Sequence, residues 1–290
     1  MGAVGLAVAA GISFGALGPA LRHGLTRVRD AELGALVSLV VGLAVALVAA
    51  GVEGSLARFD AGQAWPFLVL GLFVPGVSQV FFVRAIRDIG SSRTLILTGM
   101  VPLIAAFAAI LFLDEPFRLA LVLGTLLIVS GGLVLSWERT RPEDWRSVGI
   151  FWALGGVALY ATRDVVSRWI SDSREVPPLL AAACLLAGAS LLVLLLLAVL
   201  RGPRPLALQV GSGARYFLLS GLAMGAAYCL LLSAFARGKV TIVSPLNATY
   251  ALWGVLIAAV VMRQGEAITR RLVLAALLTV AGAAVVAATR

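Results

Sequence analysis

The chain has 290 residues, of which 61% are hydrophobic and only 13% are charged, and its mean hydropathy is +1.04. Soluble domains are about half apolar and a quarter charged, so this composition excludes a water-soluble globular protein. The net charge of +9 comes from basic residues that lie between apolar runs. This distribution is typical of membrane proteins in contact with anionic headgroups, and it argues against nucleic acid as a partner.

Apolar runs separated by charged or Pro/Gly-rich segments predict an all-α integral membrane protein. About 20 apolar residues are needed per helical crossing, because each residue rises about 1.5 Å through a hydrocarbon core about 30 Å thick. The runs predict ten transmembrane helices, at residues 3–22, 32–52, 64–83, 93–113, 117–137, 148–168, 177–200, 215–235, 240–262 and 268–288.

The two halves of the chain resemble each other when the sequence is shifted by 151 residues. Glu115 then aligns with Glu266 and Gly131 with Gly282, within matching runs of Leu and Val. Five helices per half is an odd number, so the second half must enter the membrane upside down relative to the first. We therefore predict two inverted five-helix repeats, residues 1–140 and 146–290.

The orientation in the membrane can be predicted from the loop charges. Of the 23 Lys and Arg residues, fifteen lie in the connections that follow odd-numbered helices, and eight lie elsewhere. The positive-inside rule places the fifteen in the cytoplasm and both chain ends outside.

Three short motifs are compared around predicted helices 4–5 and 9–10: a helix carrying a proline, a closing acidic residue, and a helix ending in a glycine pair. In the first half they are Met100-Val101-Pro102, Leu113-Asp114-Glu115 and Ser130-Gly131-Gly132. In the second half they are Lys239 to Pro245 (KVTIVSP), Arg263-Gln264-Gly265-Glu266 and Val280-Ala281-Gly282. With these motifs the chain resembles, over essentially its whole length, the ten-helix EamA-type exporters of the drug/metabolite transporter superfamily.

The resemblance implies a multi-pass protein of the bacterial inner membrane with a central cavity formed mainly by helices 1, 3, 4, 6, 8 and 9. It also implies chain ends in the cytoplasm, against the charge count. Glu115 and Glu266, which follow helices 4 and 9, are interpreted as cap or interface residues.

Polar and aromatic side chains at mid-membrane depth are candidates for substrate binding, because burying them in lipid costs free energy unless they line a cavity or find partners. Helix 3 carries Gln79 after Pro75, which removes a backbone hydrogen bond and is expected to bend the helix. A shift of 149 places Gln79 opposite Tyr228 in helix 8. Helix–helix hydrogen bonding is the alternative role for both.

Helix 9 is the richest stretch, because Asn247, Tyr250 and Trp253 follow one another at helical spacing and are predicted to share a face. Such a face can stack on and hydrogen-bond a polar organic solute. The shift of 151 residues aligns Thr98 of helix 4 with Thr249 of helix 9. The weaker candidates from helices 1 and 6 are Ser13, Phe14 and Tyr160.

The acids lie almost entirely at helix ends or in loops. The deepest is Asp164, flanked by Arg163 and four residues from Arg168, and we interpret it as part of a structural ion pair. This pattern argues against a carboxylate that alternates between proton and substrate. Arg84 is expected to reach the headgroups or pair with Asp88, and attraction of an anionic group is the alternative.

These observations predict a secondary transporter that moves a small polar or aromatic metabolite, such as an amino acid, a related metabolite or a drug-like compound, by alternating access, as an exporter. The alternatives are a lipid or lipid-linked sugar translocase and a non-transporting membrane scaffold. A membrane enzyme is disfavoured, because neither paired acids nor a nucleophile beside a base lies in the apolar runs. No metal or cofactor is expected. The expected partners are the small-molecule substrate and the lipid bilayer, and the expected state is a monomer, with a dimer as the alternative.

Overall fold

The computed structural model describes residues 2–28, 30–89, 97–136, 147–261 and 270–289. In these segments the chain forms thirteen α-helices and no strand. Those of the first half are α1 (Ala3–Leu25), α2 (Ala31–Glu53), α3 (Ala61–Gly71), α4 (Ser78–Ile89), α5 (Val101–Phe112) and α6 (Leu119–Ser136). Those of the second half are α7 (Val148–Ser173), α8 (Pro178–Arg201), α9 (Pro203–Gly213), α10 (Leu218–Phe235), α11 (Val240–Asn247), α12 (Tyr250–Val261) and α13 (Arg270–Ala288).

The described helices group into ten crossing segments, as the hydropathy predicted. Five segments are long and apolar enough to cross a membrane on their own: Ala3–Leu25, Glu32–Glu53, Ala61–Phe82, Pro178–Arg201 and Gln209–Phe235. Shorter apolar helices lie at Val101–Phe112, Leu119–Val134 and Val273–Ala288, the first of them beside a break described below. Helices are the form this sequence must take in lipid, because each backbone N–H and C=O then finds a partner within its own segment.

Local sequence explains where several helices begin and end. Asp30 and Asp60 begin α2 and α3 by accepting hydrogen bonds from the backbone N–H groups of Leu33 and Gly62. Such caps satisfy donors that a helix start leaves free. Gly54 ends α2 in the left-handed region, with φ of 79°. Glycine has no Cβ to oppose this conformation.

The third crossing is broken in its middle, as Pro75 predicted. Residues Leu72–Val77 form a π-helical turn between α3 and α4, and Val74 has non-helical backbone angles. The proline lacks the N–H that a regular helix would use at this position. The turn packs against α8, and Gly71 and Gly188 let the two backbones come into contact.

The inverted repeat is visible in the packing between the halves. The first helix of the first half, α1, packs on α10 of the second half. The equivalent helix of the second half, α7, packs on α4 of the first half. The last helices of the halves, α6 and α13, pack on each other. There, a Cβ on Gly124 would lie 2.9 Å from the carbonyl oxygen of Gly282, so these glycines allow close backbone approach, as in other membrane helix pairs.

Ala3 and Thr289, near the two ends of the chain, lie at one face of the bundle, which we call the terminal face. The Arg118 guanidinium donates to the carbonyl oxygen of Thr289 there. At the opposite face, Arg201 of α8 pairs with Asp30 and Glu32 at the start of α2. Polar contacts between the two halves therefore lie at both faces of the bundle.

Candidate functional site

Two crossing segments are interrupted at equivalent depths. In the second half, a turn at Ala248–Thr249 separates α11 from α12, and the Thr249 N–H donates to the carbonyl oxygen of Leu246 at 3.3 Å. In the first half, a turn at Gly99–Met100 precedes α5, and the Met100 N–H donates to Leu97 at 3.0 Å. Tight three-residue turns inside a helix commonly mark functional sites or hinges. The two turns are 149 residues apart, two fewer than the shift that aligns Thr98 with Thr249, so they lie within two residues of corresponding positions in the repeat.

α1 lies directly against the break in the second half. A Cβ on Gly11 would lie 2.9 Å from Thr249 Oγ1, and one on Gly15 would lie 2.7 Å from the Cβ of Trp253. These two glycines are spaced as G-x-x-x-G, which lets membrane helices approach closely. Trp253, predicted to line the site, is half-buried at this crossing of α1 and α12.

Polar side chains from the two breaks meet. Thr98 is buried, and its hydroxyl lies near the Tyr250 hydroxyl. A small cavity of about 30 Å³ beside Tyr250 is lined from both breaks, by Gly99 on one side and by Ala248 and Ala251 on the other. A cavity of this size holds about one water molecule. The predicted residues Thr98 and Tyr250 are thus brought together at the contact between the halves.

Asn247 is the last residue of α11 and is 6% exposed. Its side-chain oxygen, Oδ1, has no hydrogen-bond partner within the described part of the chain. A buried amide oxygen without a partner costs free energy, and in a transport protein it is a candidate contact for a solute. The helix ends between Asn247 and Tyr250, so the predicted common face of these residues with Trp253 does not follow from regular helical spacing.

A buried ion pair lies one turn from Asn247. The Arg163 guanidinium of α7 donates from Nε and Nη2 to Asp164 Oδ1, at 2.9 and 2.7 Å. The Ser244 hydroxyl of α11 donates to Asp164 Oδ2 at 2.5 Å. We call these three residues the ion-pair centre. Arg163 is 5% exposed and Asp164 is fully buried, so both charges are closed off in this conformation.

Aromatic rings surround the guanidinium. The centre of the Arg163 guanidinium lies 5.5 Å from the Tyr160 ring and 5.8 Å from the Tyr228 ring, distances at which a cation is attracted by a ring face. Phe14 of α1 packs edge-to-face on Tyr228, with ring centroids 5.3 Å apart. Three predicted residues, Phe14, Tyr160 and Tyr228, therefore lie together, and we call them the aromatic ring set.

The remaining predicted residues lie at the edge of this region. Ser13 is half-buried and donates to the carbonyl oxygen of Ala9 in its own helix, at 3.0 Å. Gln79 is half-buried on α4, which packs mainly on α7, whereas Tyr228 lies on α10 against α1 and α2. Beside Gln79, the buried Ser78 hydroxyl lies near the Tyr160 hydroxyl, outside the geometry of a good hydrogen bond.

The ion pair predicted for Asp164 is confirmed with Arg163 alone. Arg168 pairs instead with Asp172, at 2.8 Å, near the end of α7, and donates to the carbonyl oxygen of Phe235. The sequence pattern predicts a structural role for this pair and indicates no carboxylate suited to a transport site. Asp164 instead lies beside the aromatic ring set. The signal that could have found it is its depth in α7, because a charge in a membrane segment marks a functional site by default.

Glu115 is a helix cap, as predicted. Its carboxylate accepts hydrogen bonds from the Val240 N–H at 2.7 Å, the Thr241 N–H at 2.9 Å and the Thr241 hydroxyl at 2.7 Å. The carboxylate of the first half thus closes the N-terminus of α11 in the second half, at the terminal face. Its repeat partner Glu266 lies outside the described residues.

Two further basic features lie away from the ion-pair centre. Arg84 stands over the Trp152 ring at 5.1 Å, a contact that the sequence did not predict. At the terminal face, a cavity of about 300 Å³ is lined by Arg118, Arg237 and Lys239. In the described segments, no group of three or more His, Cys, Asp or Glu side chains is placed to hold a metal ion.

Comparisons with known proteins agree with this architecture. The model of the EamA-like transporter family matches residues 1–137 and 147–288, which are the two repeats. A solved crystal structure of another protein is similar to this chain with a TM-score of 0.80 and 22% sequence identity, over 99% of this chain and 96% of the other. That likeness shows the fold. No curated protein matches the chain in sequence. The match over both repeats establishes that the chain belongs to the EamA-like transporter family and is a membrane transporter of the drug/metabolite transporter type.

Proposed function

We propose that this protein carries a small polar or aromatic metabolite, such as an amino acid, a related metabolite or a drug-like compound, by alternating access between two inverted halves. The observation that carries the proposal is the pair of matching breaks, at Gly99–Met100 and Ala248–Thr249, with a small cavity between them. In transporters built from inverted repeats, interrupted helices at corresponding positions commonly form the substrate site near the midplane.

The side chains around the breaks suit such a solute. Thr98, Tyr250 and Asn247 offer hydroxyl and amide groups, and the aromatic ring set offers flat apolar surface. Small-molecule sites combine apolar and aromatic walls with a few polar groups that fix orientation. The centre of this region is closed, which fits an occluded state between the two open states of the cycle.

The proposed direction is export, and the proposed location is the bacterial inner membrane.

The contacts that would break as the carrier alternates between its two open states lie at both faces. Glu115 and the start of α11 meet at the terminal face, and Arg201 and the start of α2 meet at the opposite face. Opening one face while keeping the other closed would break one set and retain the other.

Counterflow in liposomes tests the proposal. Purified protein is reconstituted with each of a panel of amino acids and related metabolites inside, and uptake of the labelled solute is compared with protein-free liposomes. We expect Asn247→Ala and Tyr250→Phe to slow flux about tenfold, the effect of losing one hydrogen bond worth about 1.4 kcal/mol in the transport cycle. Tyr216→Phe, which alters a hydroxyl at the opposite face that accepts from Arg215, is the matched control and should leave flux unchanged.

Transport by wild type with full activity in both site variants would remove the proposed site. Absence of flux above protein-free liposomes for the whole panel would remove the proposed substrate class. The direction of transport follows from repeating the measurement with protein whose orientation has been fixed by protease protection of one face.

A further inference from the structure

The buried pair of Arg163 and Asp164 is not explained by stability. Removing two charges from water costs several kcal/mol per ion, and replacing such pairs by apolar residues is often neutral or stabilising. In a membrane helix the cost is at least as severe. Yet the pair is placed fully inside the bundle, with fixed partners on α10 and α11.

Both members of the pair keep unused bonding capacity. A guanidinium has five N–H donors, and the Arg163 bonds to Asp164 use only Nε and Nη2. A carboxylate has about four acceptor positions, and Asp164 uses three, two for Arg163 and one for Ser244. The guanidinium lies over the Tyr160 and Tyr228 rings, and the Tyr228 hydroxyl is its one further polar neighbour among these residues.

Two more buried polar side chains lie near the pair on the same two helices. Asn247 lies one turn from Ser244 on α11, and Ser167 lies one turn from Asp164 on α7. Within the described chain, neither Asn247 Oδ1 nor Ser167 Oγ makes a hydrogen bond. Unsatisfied polar atoms on both helices that carry the ion-pair centre are an independent sign that a polar ligand binds there.

We infer that Arg163 and Asp164 determine specificity for zwitterions: Arg163 binds the carboxylate of the solute and Asp164 binds its ammonium group. This inference rests on the proposed transport function and assigns the residues that recognise the solute's charged groups. An α-amino acid carries both charges on neighbouring atoms, so it can pair with both side chains while the net charge of the site stays zero. A solute with a single charge leaves one member of the pair without a counter-charge in a low-dielectric site, where that is costly.

In the empty carrier the two side chains neutralise each other, so the site can close without solute. The solute replaces contacts between Arg163 and Asp164 by contacts of the same kind. The aromatic ring set then packs against the solute's side chain, and Asn247 is placed to accept from its ammonium group.

The test measures how strongly three unlabelled compounds inhibit counterflow of the best-transported amino acid. They are the amino acid itself, its N-acetyl derivative, which keeps only the carboxylate, and its amide, which keeps only the ammonium group. In the wild type we expect both derivatives to compete about tenfold more weakly than the amino acid, since each loses a charge-assisted hydrogen bond. In Asp164→Asn the advantage of the amino acid over its N-acetyl derivative should disappear. In Arg163→Gln its advantage over the amide should disappear.

Two further variants distinguish a folding defect from a loss of solute recognition. Arg163→Gln/Asp164→Asn removes both charges together, so it leaves no buried charge unpaired, and it should fold and bind all three competitors within about threefold of one another. Asp172→Asn is the matched control, because it breaks the exposed ion pair at the end of the same helix. It should retain the wild-type order of competitors.

Unchanged preference for the zwitterion in the double variant would overturn the inference. So would a wild-type carrier that transports solutes of the panel but does not distinguish the amino acid from its two derivatives, and in that case the proposed transport function would stand. A wild type that transports no member of the panel would count against the proposed function itself.

Discussion

The Glu115 cap makes a strong prediction for stability. Glu115→Gln keeps the shape of the side chain but removes its charge and turns one acceptor into a donor that faces a backbone N–H. In the wild type, the Glu115 carboxylate accepts three hydrogen bonds, and the residue is only 6% exposed. Hydrogen bonds to a charged group contribute about 1.5–3 kcal/mol each, and loss of a helix cap costs about 0.5–2 kcal/mol.

Because Gln still accepts one or two of the bonds, we expect a loss of about 3 kcal/mol. At roughly 2 °C per kcal/mol for a chain of this size, the apparent Tm in detergent should fall by about 6 °C. Thr241→Val, which removes one bond of the three, should lower it by about 2 °C. Both values are read from a thermal ramp with a thiol-reactive or intrinsic fluorescence signal at a fixed heating rate.

Asp114→Asn is the matched control, because Asp114 is exposed and its φ of 52° is tolerated by Asn. Its Tm should match that of the wild type. A Glu115→Gln protein that melts within about 2 °C of the wild type would refute the argument that these bonds hold α11 in place.

Three other predictions concern packing and surface charge. Gly131→Ala should lower the apparent Tm by several degrees, because the added Cβ would lie 2.8 Å from a backbone oxygen of α13. Ser38→Ala should cost about 0.5–1 kcal/mol by removing the 2.6 Å hydrogen bond to Ser220, and adding Ser220→Ala should cost little more. Partial burial raises the pKa of Asp30, but hydrogen bonds from Arg201 and backbone N–H groups outweigh it and lower that pKa overall. The Asp30 contribution should therefore be constant from pH 8 to about 5 and be lost only as pH falls below about 4.

Each of these has a direct check. Gly132→Ala adds a Cβ next to Gly131 in open space and should leave the Tm unchanged; equal effects of the two substitutions would contradict the packing argument. Additive losses in the two serine variants would show that the hydroxyls do not interact. For Asp30, the difference in Tm between wild type and Asp30→Asn is followed against pH, and a difference that disappears already near pH 6 would disprove the assignment.

The architecture could be predicted because it depends on patterns that are local or repeated. Hydropathy alone separates the crossing segments, the alignment of Glu115 with Glu266 indicates the repeat, and the odd number of helices in each half inverts it. Pro75 predicted the break in the third crossing, since the cause lies within the segment itself. The cap role of Glu115 was predictable in kind, but its partner at Val240 is 125 residues away and belongs to the other half.

The centre of the site depends on contacts that no local pattern encodes. Arg163 and Asp164 are neighbours in sequence, and whether they face lipid, each other or a cavity is decided by Tyr228 and Ser244 on distant helices. The break after Asn247 is equally hidden, because neither Ala248 nor Thr249 is a helix-breaking residue. Spacing along a continuous helix could therefore identify the residues around the site but not their arrangement.

The closeness of the chain ends has a consequence for the order of the halves. Ala3 and Thr289 line the same cavity at the terminal face. A short linker could therefore join the end of the second half to the start of the first, and new termini could be opened between the halves. Such a circular permutant would keep every helix pairing described above while reversing the order in which the halves are synthesised and inserted. Its folding would measure whether either half must enter the membrane first.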